Sequence, residues 1–512
     1  MKAPVTCNFK LSLKSNSNGN SKPFKFLLFL LLIPQLGIAA FKLHVLKEPL
    51  SLDPQSQGGA VSSYLLQNLH RGLFKFDNEK GLVPDLAEKK CTRSSKDLKL
   101  TCKLKKNLKW SDGTALKSSD FVNAYEFLLK NPINSGQGLS LLSLKNAEKF
   151  ISTKTNFNEV GIKAIDDRTL QFEFTEPQPE FEYNLCQTTL SPRPSNPKQF
   201  SGPYQLKDWK KSKSLLLTQN PNYPTGNSKR PDVEFLFIID DSTALKLYEK
   251  NQLDFLRRLP TSLYQQWKDK PDFKSFEILR FDYYGFNQDL DSIEQRKLLS
   301  EALDYEDLQK IFQSKGRPGC VALPSSFFQN GEIPCVNFKS TSTPPPKISW
   351  PKDMVISYSA QGGDDHRRLA EWLQSHWKKR LDLDFRIQAM ENKVFISQLH
   401  SKPTSVFRKG VTLDRPTCLA ALEIFHHAHP ENFLKINSKD YEKLLSEIKL
   451  TTNESKKKVL CTRSVKWLID QYQLIPSGRF DFFTLLKPNY KGLQLNLMNQ
   501  LNLEDLTVNL SP

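Results

Sequence analysis

Residues 354–388 read as a strand, a turn, a helix and a second strand, and that order limits the fold more than any other stretch of the chain. Met354 to Tyr358 is a short apolar run, Gln361-Gly362-Gly363-Asp364 a turn, and Asp365 to Leu381 a helix. Along that helix Leu369, Trp372, Leu373 and Trp377 recur at helical spacing, a stripe that faces a core. Leu383, Phe385 and Ile387 then alternate with acidic and basic neighbours as a return strand. Short strands alternating with helices make α/β lobes, and open α/β sheets bind ligands in crevices beside the strand ends.

Strand signals dominate the first third of the chain. Leu98, Leu100, Cys102 and Leu104 alternate with Lys99, Thr101 and Lys103, and Leu170, Phe172 and Phe174 alternate with Gln171 and Glu173 after the Asp166-Asp167 turn. Between them Ser118-Ser119-Asp120 is expected to cap a helix carrying Phe121, Tyr125 and Leu128, stopped by Asn131-Pro132. Proline-rich breaks at 191–203 and 340–351 are candidate boundaries, and 512 residues are too many for one core at the usual ~100–200 residues per domain.

The chain is expected to be exported. Lys22 and Lys25 precede the apolar run Phe26 to Ile33, and Gly37, Ala39 and Ala40 follow, the layout of a secretory signal peptide over residues 1–39. The run is shorter than the roughly 20 apolar residues that span a bilayer. Cleavage after Ala39 or Ala40 leaves no cysteine at the new N-terminus, so a soluble protein without a lipid anchor is expected. Loss of residues 1–39 removes five lysines and no acids, taking the formal charge from +18 to +13. The lysines are spread along the chain, and Lys456-Lys457-Lys458 sits on a helical pattern beside Glu454 as a solvated face, so no nucleic-acid partner is expected.

Seven cysteines follow the leader. Cys91 and Cys102 lie symmetrically about the turn Ser95-Lys96-Asp97-Leu98, where a hairpin could hold them at bridging distance. Cys320 and Cys335 flank a loop containing Pro and Gly that a disulfide would clip. The odd count leaves at least one thiol free or paired between chains. No zinc spacing and no CxxC occur. His426-His427-Ala428-His429 is the only histidine cluster; imidazoles this close can bind a transition metal, but with no nearby Cys or carboxylate pattern no metal or cofactor is expected. Asp364-Asp365 is explained by the helix dipole. Nor is there a Gly-x-Ser-x-Gly elbow, a His-Glu-x-x-His pair or a phosphate-cradling loop. A non-catalytic protein is expected, with a secreted hydrolase using dispersed residues as the alternative.

Several collinear segments go further. Leu52-Asp53-Pro54, Asn68-Leu69-His70-Arg71-Gly72-Leu73 and Pro84-Asp85-Leu86-Ala87 are followed by Trp110-Ser111-Asp112-Gly113 with Ser119-Asp120-Phe121-Val122. Then come Gly161-Ile162-Lys163-Ala164, Ser201-Gly202-Pro203-Tyr204, Asn220-Pro221-Asn222-Tyr223, the Asp365-His366-Arg367-Arg368 helix start and Lys491-Gly492-Leu493. In this order, from about residue 45 to 495, they resemble the peptide-type (oligopeptide and dipeptide) solute-binding proteins of ABC importers, extracellular solute-binding protein family 5. The resemblance implies two hinged α/β lobes with an additional N-terminal α+β domain. It places the first lobe at 41–75, 196–275 and 476–512, the extra domain at 76–195 and the second lobe at 276–475. It also implies a periplasmic monomer that closes on a short peptide and hands it to a membrane permease complex, with a metal complex as the alternative solute.

The same resemblance marks the cleft. Tyr283, Tyr284 and Asn287 fall in the segment that begins the second lobe, although packing in a strand core explains these aromatics equally well. His366 matches a cleft-side histidine, and Arg408 a basic position that can face a ligand carboxylate. Relatives carry an acid in a Gly-Trp-x-x-Asp segment that meets the peptide's amino terminus. Here Arg408-Lys409-Gly410-Val411-Thr412-Leu413-Asp414-Arg415 lacks the tryptophan, and Arg415 could neutralise Asp414. Arg71 stands where relatives carry Glu. The expected ligand is therefore less cationic than usual.

Overall fold

The computed structural model describes residues 40–509 apart from 56–59, 95–96, 132–135, 154, 226–228, 313–318, 337–347 and 479–481. The expected leader, and most of the break at 340–351, lie outside the described residues.

Sequence-distant segments build the first sheet. Its seven strands run in the order Phe273–Phe276, Phe482–Leu486, Phe255–Leu256, Phe41–Val45, Val233–Phe237, Ser214–Gln219 and Tyr204–Lys210. Phe41–Val45 lies parallel to Val233–Phe237, with Leu43 opposite Phe235. On one face Leu43, Phe235, Leu215 and Leu217 pack with Tyr64, Leu65 and Leu69 of the Ala60–Leu69 helix. Leu256, Phe483 and Leu485 pack with Ala244 and Tyr248 of the Asp241–Glu249 helix. Each face thus removes a continuous apolar layer from water, at roughly 25 cal/mol per Å² buried.

A four-stranded antiparallel sheet (Thr92–Arg93, Lys99–Lys103, Thr169–Glu173, Ile162–Asp166) carries the Ser118–Lys130 helix through Phe121, Tyr125 and Leu128. That helix begins at Ser118 itself, so its cap lies one residue before the serines and aspartate expected to supply it. Lys117 is the capping residue, and its N–H donates to Asp120 Oδ2 at 2.9 Å, so the acid closes the turn from inside.

The second lobe is a five-stranded sheet, Arg386–Met390, Val355–Ser359, Val406–Thr412, Arg280–Phe286 and Leu474–Pro476. Val355–Ser359 pairs in parallel with Arg386–Met390, joined by the Gly363–Leu381 helix. Leu369, Trp372, Leu373 and Trp377 are buried along that helix, and Trp377 Nε1 donates to Leu299 O at 2.8 Å. The return strand begins three residues later than its apolar alternation suggests. Asp382 takes a left-handed φ of 54° and ends the helix; Leu383 and Phe385 then tuck against it, with the Phe385 ring 4.5 Å from Trp377, before pairing starts.

Cys91 is bonded to Cys102 and Cys320 to Cys335. A third disulfide joins Cys418 to Cys461 across 43 residues. Among the described residues Cys186 is the free thiol; it is buried, and burial pushes its pKa well up.

Candidate functional site

Two chemically different faces meet along the Val406–Thr412 strand. Asn287 N–H donates to Ser405 O at 3.1 Å and Leu413 N–H to Leu279 O at 3.0 Å. With Arg280 opposite Thr412 and Phe286 opposite Val406, the odd-numbered residues of this strand are the ones bonded to Arg280–Phe286. Backbone groups of Gly410 and Thr412 therefore point to the other edge. Val355–Ser359 covers that edge only at Val406 and Phe407, and among the described residues no strand pairs with 409–412 there. The result is a short open strand edge.

On the even-numbered face the apolar core gives way to charge. Asp282 accepts from Arg408 Nη2 and from Arg280 Nε, each at 2.7 Å. Burial alone would raise the Asp282 carboxyl, but the two guanidiniums outweigh it and hold it below its usual range. Gly410 lets this bridge lie flat across the strand, because a Cβ there would stand 2.1 Å from Asp282 Oδ1 and 2.2 Å from Arg280 Nη2. His366, in the first turns of its helix, bonds through Nδ1 to Ser359 O at 3.2 Å. Burial, then Arg408, Arg258 and Arg280, drive its pKa well below the usual value, so it is neutral. Arg258 reaches over from the first lobe to Asp365 Oδ2 at 3.1 Å and Gly362 O at 3.0 Å, and Thr261 Oγ1 donates to Asp365 Oδ1. Asp365 thus ties the Gly363–Leu381 helix to the Arg258–Thr261 segment as well as serving as a helix-dipole acid. Three arginines against Asp282 and Asp365 leave this cluster cationic.

The strand also borders a cavity of about 1790 Å³, lined by Lys409 through Arg415 together with residues from 140–149, 175–189 and 419–450. Asp414 stands in its wall, half-exposed, and accepts from Gln187 Nε2 at 3.3 Å and Arg415 Nη1 at 3.4 Å. Arg415 is buried and also pairs with Glu180 at 3.5 Å and with Glu423. Burial lifts the Glu180 carboxyl above its usual range despite Arg415. Thr417 Oγ1 donates to Glu180 at 2.8 Å, so the 175–189 segment is fastened to the second lobe here. The lining carries seven carboxylates against four lysines and arginines. The expectation of a less cationic ligand thus meets two faces of opposite charge, a cationic arginine cluster and an acidic cavity lining.

Four expected contacts stand elsewhere. Arg71 is enclosed, 3.6 Å from Asp85 and 3.2 Å from Glu504, within a buried network that includes Lys75 and Tyr223. Its guanidinium completes an interior charge balance and does not line the cavity. Tyr283 and Tyr284 are buried on opposite faces of the sheet, Tyr283 5.4 Å from the Phe425 ring and Tyr284 in the cluster with Tyr358 and Trp372. Asn287 caps a turn through Asp289 N–H at 3.0 Å and donates to Pro403 O at 3.1 Å. Tyr283 and Tyr284 thus serve packing, Asn287 serves a cap, and Arg71 serves an interior ion network.

His366 and Arg408 are brought together; Asp414 lies across the edge from them. The sequence reading missed Arg258, Arg280 and Asp282. Arg280 and Asp282 carried a signal, two charges alternating into a buried strand, whereas Arg258 joins Asp365 from 107 residues away with no local trace.

The family model described as bacterial extracellular solute-binding proteins, family 5 Middle, matches residues 81–432. The oligopeptide-binding protein OppA of Bacillus subtilis is 24% identical over 494 residues, covering 89% of this chain and 90% of that protein. The structure of the Escherichia coli murein tripeptide binding protein MppA superposes with a TM-score of 0.79 at 24% identity, over 92% of this chain and 98% of that one. Haemophilus influenzae OppA in complex with the peptide RPPGFSPFR gives 0.78 at 22% identity, over 92% and 98%.

Proposed function

This chain belongs to the bacterial extracellular solute-binding proteins, family 5, and on that footing we propose that it captures short peptides outside the inner membrane and delivers them to an ABC importer. The observation that carries the proposal is the open edge at Gly410–Thr412, set between a carboxylate-rich cavity and an arginine cluster. A peptide added along a strand edge bonds through its main chain, so sequence matters little to the pairing. Its alternate groups then reach both faces. Amino and basic groups fall toward the acidic cavity, where Asp414 stands, while a terminal carboxylate falls toward Arg408, His366, Arg258 and Arg280. A zwitterionic peptide matches that polarity.

Binding needs no bond-breaking group, and the charged residues act by position alone. The lobes comprise 41–75, 196–275 and 476–512, and 276–475, with 76–195 between them. Arg258, Thr261 and Asp365 join the lobes across the cluster, so a ligand that adds contacts to both favours the closed arrangement by its differential affinity. The chain acts as a single copy beside its permease, which recognises the closed form. Among the described residues no helix is long and apolar enough to cross a membrane.

The test is native mass spectrometry of the chain as purified, followed by titration of one tripeptide as its free acid and as its C-terminal amide. Retained short peptides and a preference for the acid are expected. Arg408→Glu should abolish that preference; an unchanged preference removes Arg408 from the site.

A further inference from the structure

The histidine pair at the cavity rim meets, in the folded chain, a carboxylate from 15 residues further on. Glu442 comes from the Lys439–Leu450 helix, whose Tyr441, Leu444, Leu445 and Ile448 are buried. Tyr441 Oη donates to Leu422 O at 3.0 Å, tying this helix to the segment just before the histidines. His426 Nε2 lies 3.1 Å from Glu442 Oε2, and His427 Nδ1 lies 3.1 Å from Glu442 Oε1. The His427 backbone N–H also donates to Glu442 Oε1 at 2.8 Å, which orients the carboxylate. One ligand atom from each residue falls within 4.8 Å of the others.

We propose that His426, His427 and Glu442 bind a divalent transition-metal ion such as Zn²⁺. Two imidazole nitrogens and a carboxylate oxygen are a donor set such ions take, with bonds of about 2.0–2.2 Å. Donors on a tetrahedral ion then stand about 3.3 Å apart, close to the two separations already present. His426 and His427 are half-exposed and Glu442 is a quarter exposed, so a coordination position stays open to water. His426 and Glu442 also line the cavity, so an ion held between them stands at its edge. In the metal-free chain Ala428 N–H donates to His426 Nδ1 at 3.2 Å, placing the ring proton on Nε2. Coordination releases that proton to solvent, and the ring takes one up at Nδ1 at the expense of the Ala428 bond. That cost places the affinity below that of a closed structural site.

The experiment uses the tag-free full chain, stripped with a chelator, and titrates ZnCl₂ against a chromogenic zinc indicator. One ion per chain is expected. Because even the partners of metal ligands change affinity by about 10- to 100-fold, Glu442→Gln and the double variant His426→Ala/His427→Ala should each weaken binding by at least about tenfold. Co²⁺ should give the visible absorption of a tetrahedral site in the parent chain only. His400→Gln, a cavity-lining histidine outside the trio, serves as control and should bind as the parent does. Unfolding temperatures without metal confirm that each variant is folded. Absence of saturable binding, or equal affinity in the double variant, overturns the assignment. No peptide is in the assay, so its outcome is separate from that of peptide capture.

Discussion

Asp282→Asn changes one charge and almost no volume at the centre of the arginine cluster. Asp282 and Arg408 are both buried, and their contact is 2.7 Å. Charges about 4 Å apart interact by about 4 kcal/mol at an effective dielectric near 20. Arg280 is more than a third exposed on its side chain, so screening limits its share to at most about 1 kcal/mol. Against these stands relief of the desolvation cost of Asp282 itself. Losing one partner of a buried pair strands the other, which typically costs about 3–5 kcal/mol, and that is the loss expected here. Urea unfolding followed by tryptophan fluorescence reads it directly, since Trp372 and Trp377 pack on the same sheet. The double variant Asp282→Leu/Arg408→Met removes both charges and should recover most of the loss, because an apolar pair of similar volume has no stranded ion. A single-variant cost under about 1 kcal/mol would refute the reasoning, as would a double variant no more stable than the single. Binding separates the two roles of the cluster: with Asp282 neutral, a free-acid peptide should gain affinity while the apo chain loses stability.

Acid should weaken the fold through two buried histidines. Burial lowers His44 and His70 to about 4, so the unfolded chain takes up protons first, and stability falls as pH drops from about 6.5 toward 4. Each accounts for about 2 kcal/mol lost between pH 7.5 and pH 5; His44→Gln should remove its share of that loss, and an unchanged pH slope would exclude it. Opening the Cys418–Cys461 bridge by Cys418→Ser with Cys461→Ala releases a 43-residue loop, for which chain entropy gives about 4 kcal/mol. The 11-residue Cys91–Cys102 loop gives about 3 kcal/mol, so denaturant midpoints should rank the two losses in that order. Gly410→Ala pushes a methyl into the Arg280–Asp282 bridge and should cost about 1–3 kcal/mol, with a matching loss of acid-over-amide preference in peptide titration.

What could be read from the chain follows from the range of each interaction. The Leu369–Trp377 stripe was legible because a helix repeats its environment every turn, and the same local logic located the strands at 99–103 and 169–173. The start of the return strand was not, because Leu383 and Phe385 alternate correctly for a strand yet are consumed in covering Trp377. The Cys91–Cys102 and Cys320–Cys335 pairs flank short loops, so proximity in sequence implied proximity in space. Cys418 and Cys461 meet only because the Glu454–Asp470 helix packs back on the Cys418–Leu422 turn.

The candidate site was the least legible part, and one strand shows why. In Arg280–Phe286 both faces are buried in the middle, so alternation of apolar with polar residues, the usual mark of an exposed face, is missing where Tyr283 and Tyr284 lie. Aromatics there look equally suited to a cleft and to a core. The distinguishing information sits in the partner strand's register, which leaves Gly410 and Thr412 beyond the reach of Val355–Ser359. Register is fixed by contacts between residues more than 40 positions apart, and so is the charge balance around the edge. Arg258 arrives from the segment after the Phe255–Leu256 strand, His366 and Arg408 from the five-stranded sheet and its helix, and Glu180 from the 175–189 segment. Each of those side chains is an ordinary surface charge in its own segment. They become a candidate site only where these parts of the fold converge, so the charge around the open edge is set by contacts that no single segment displays.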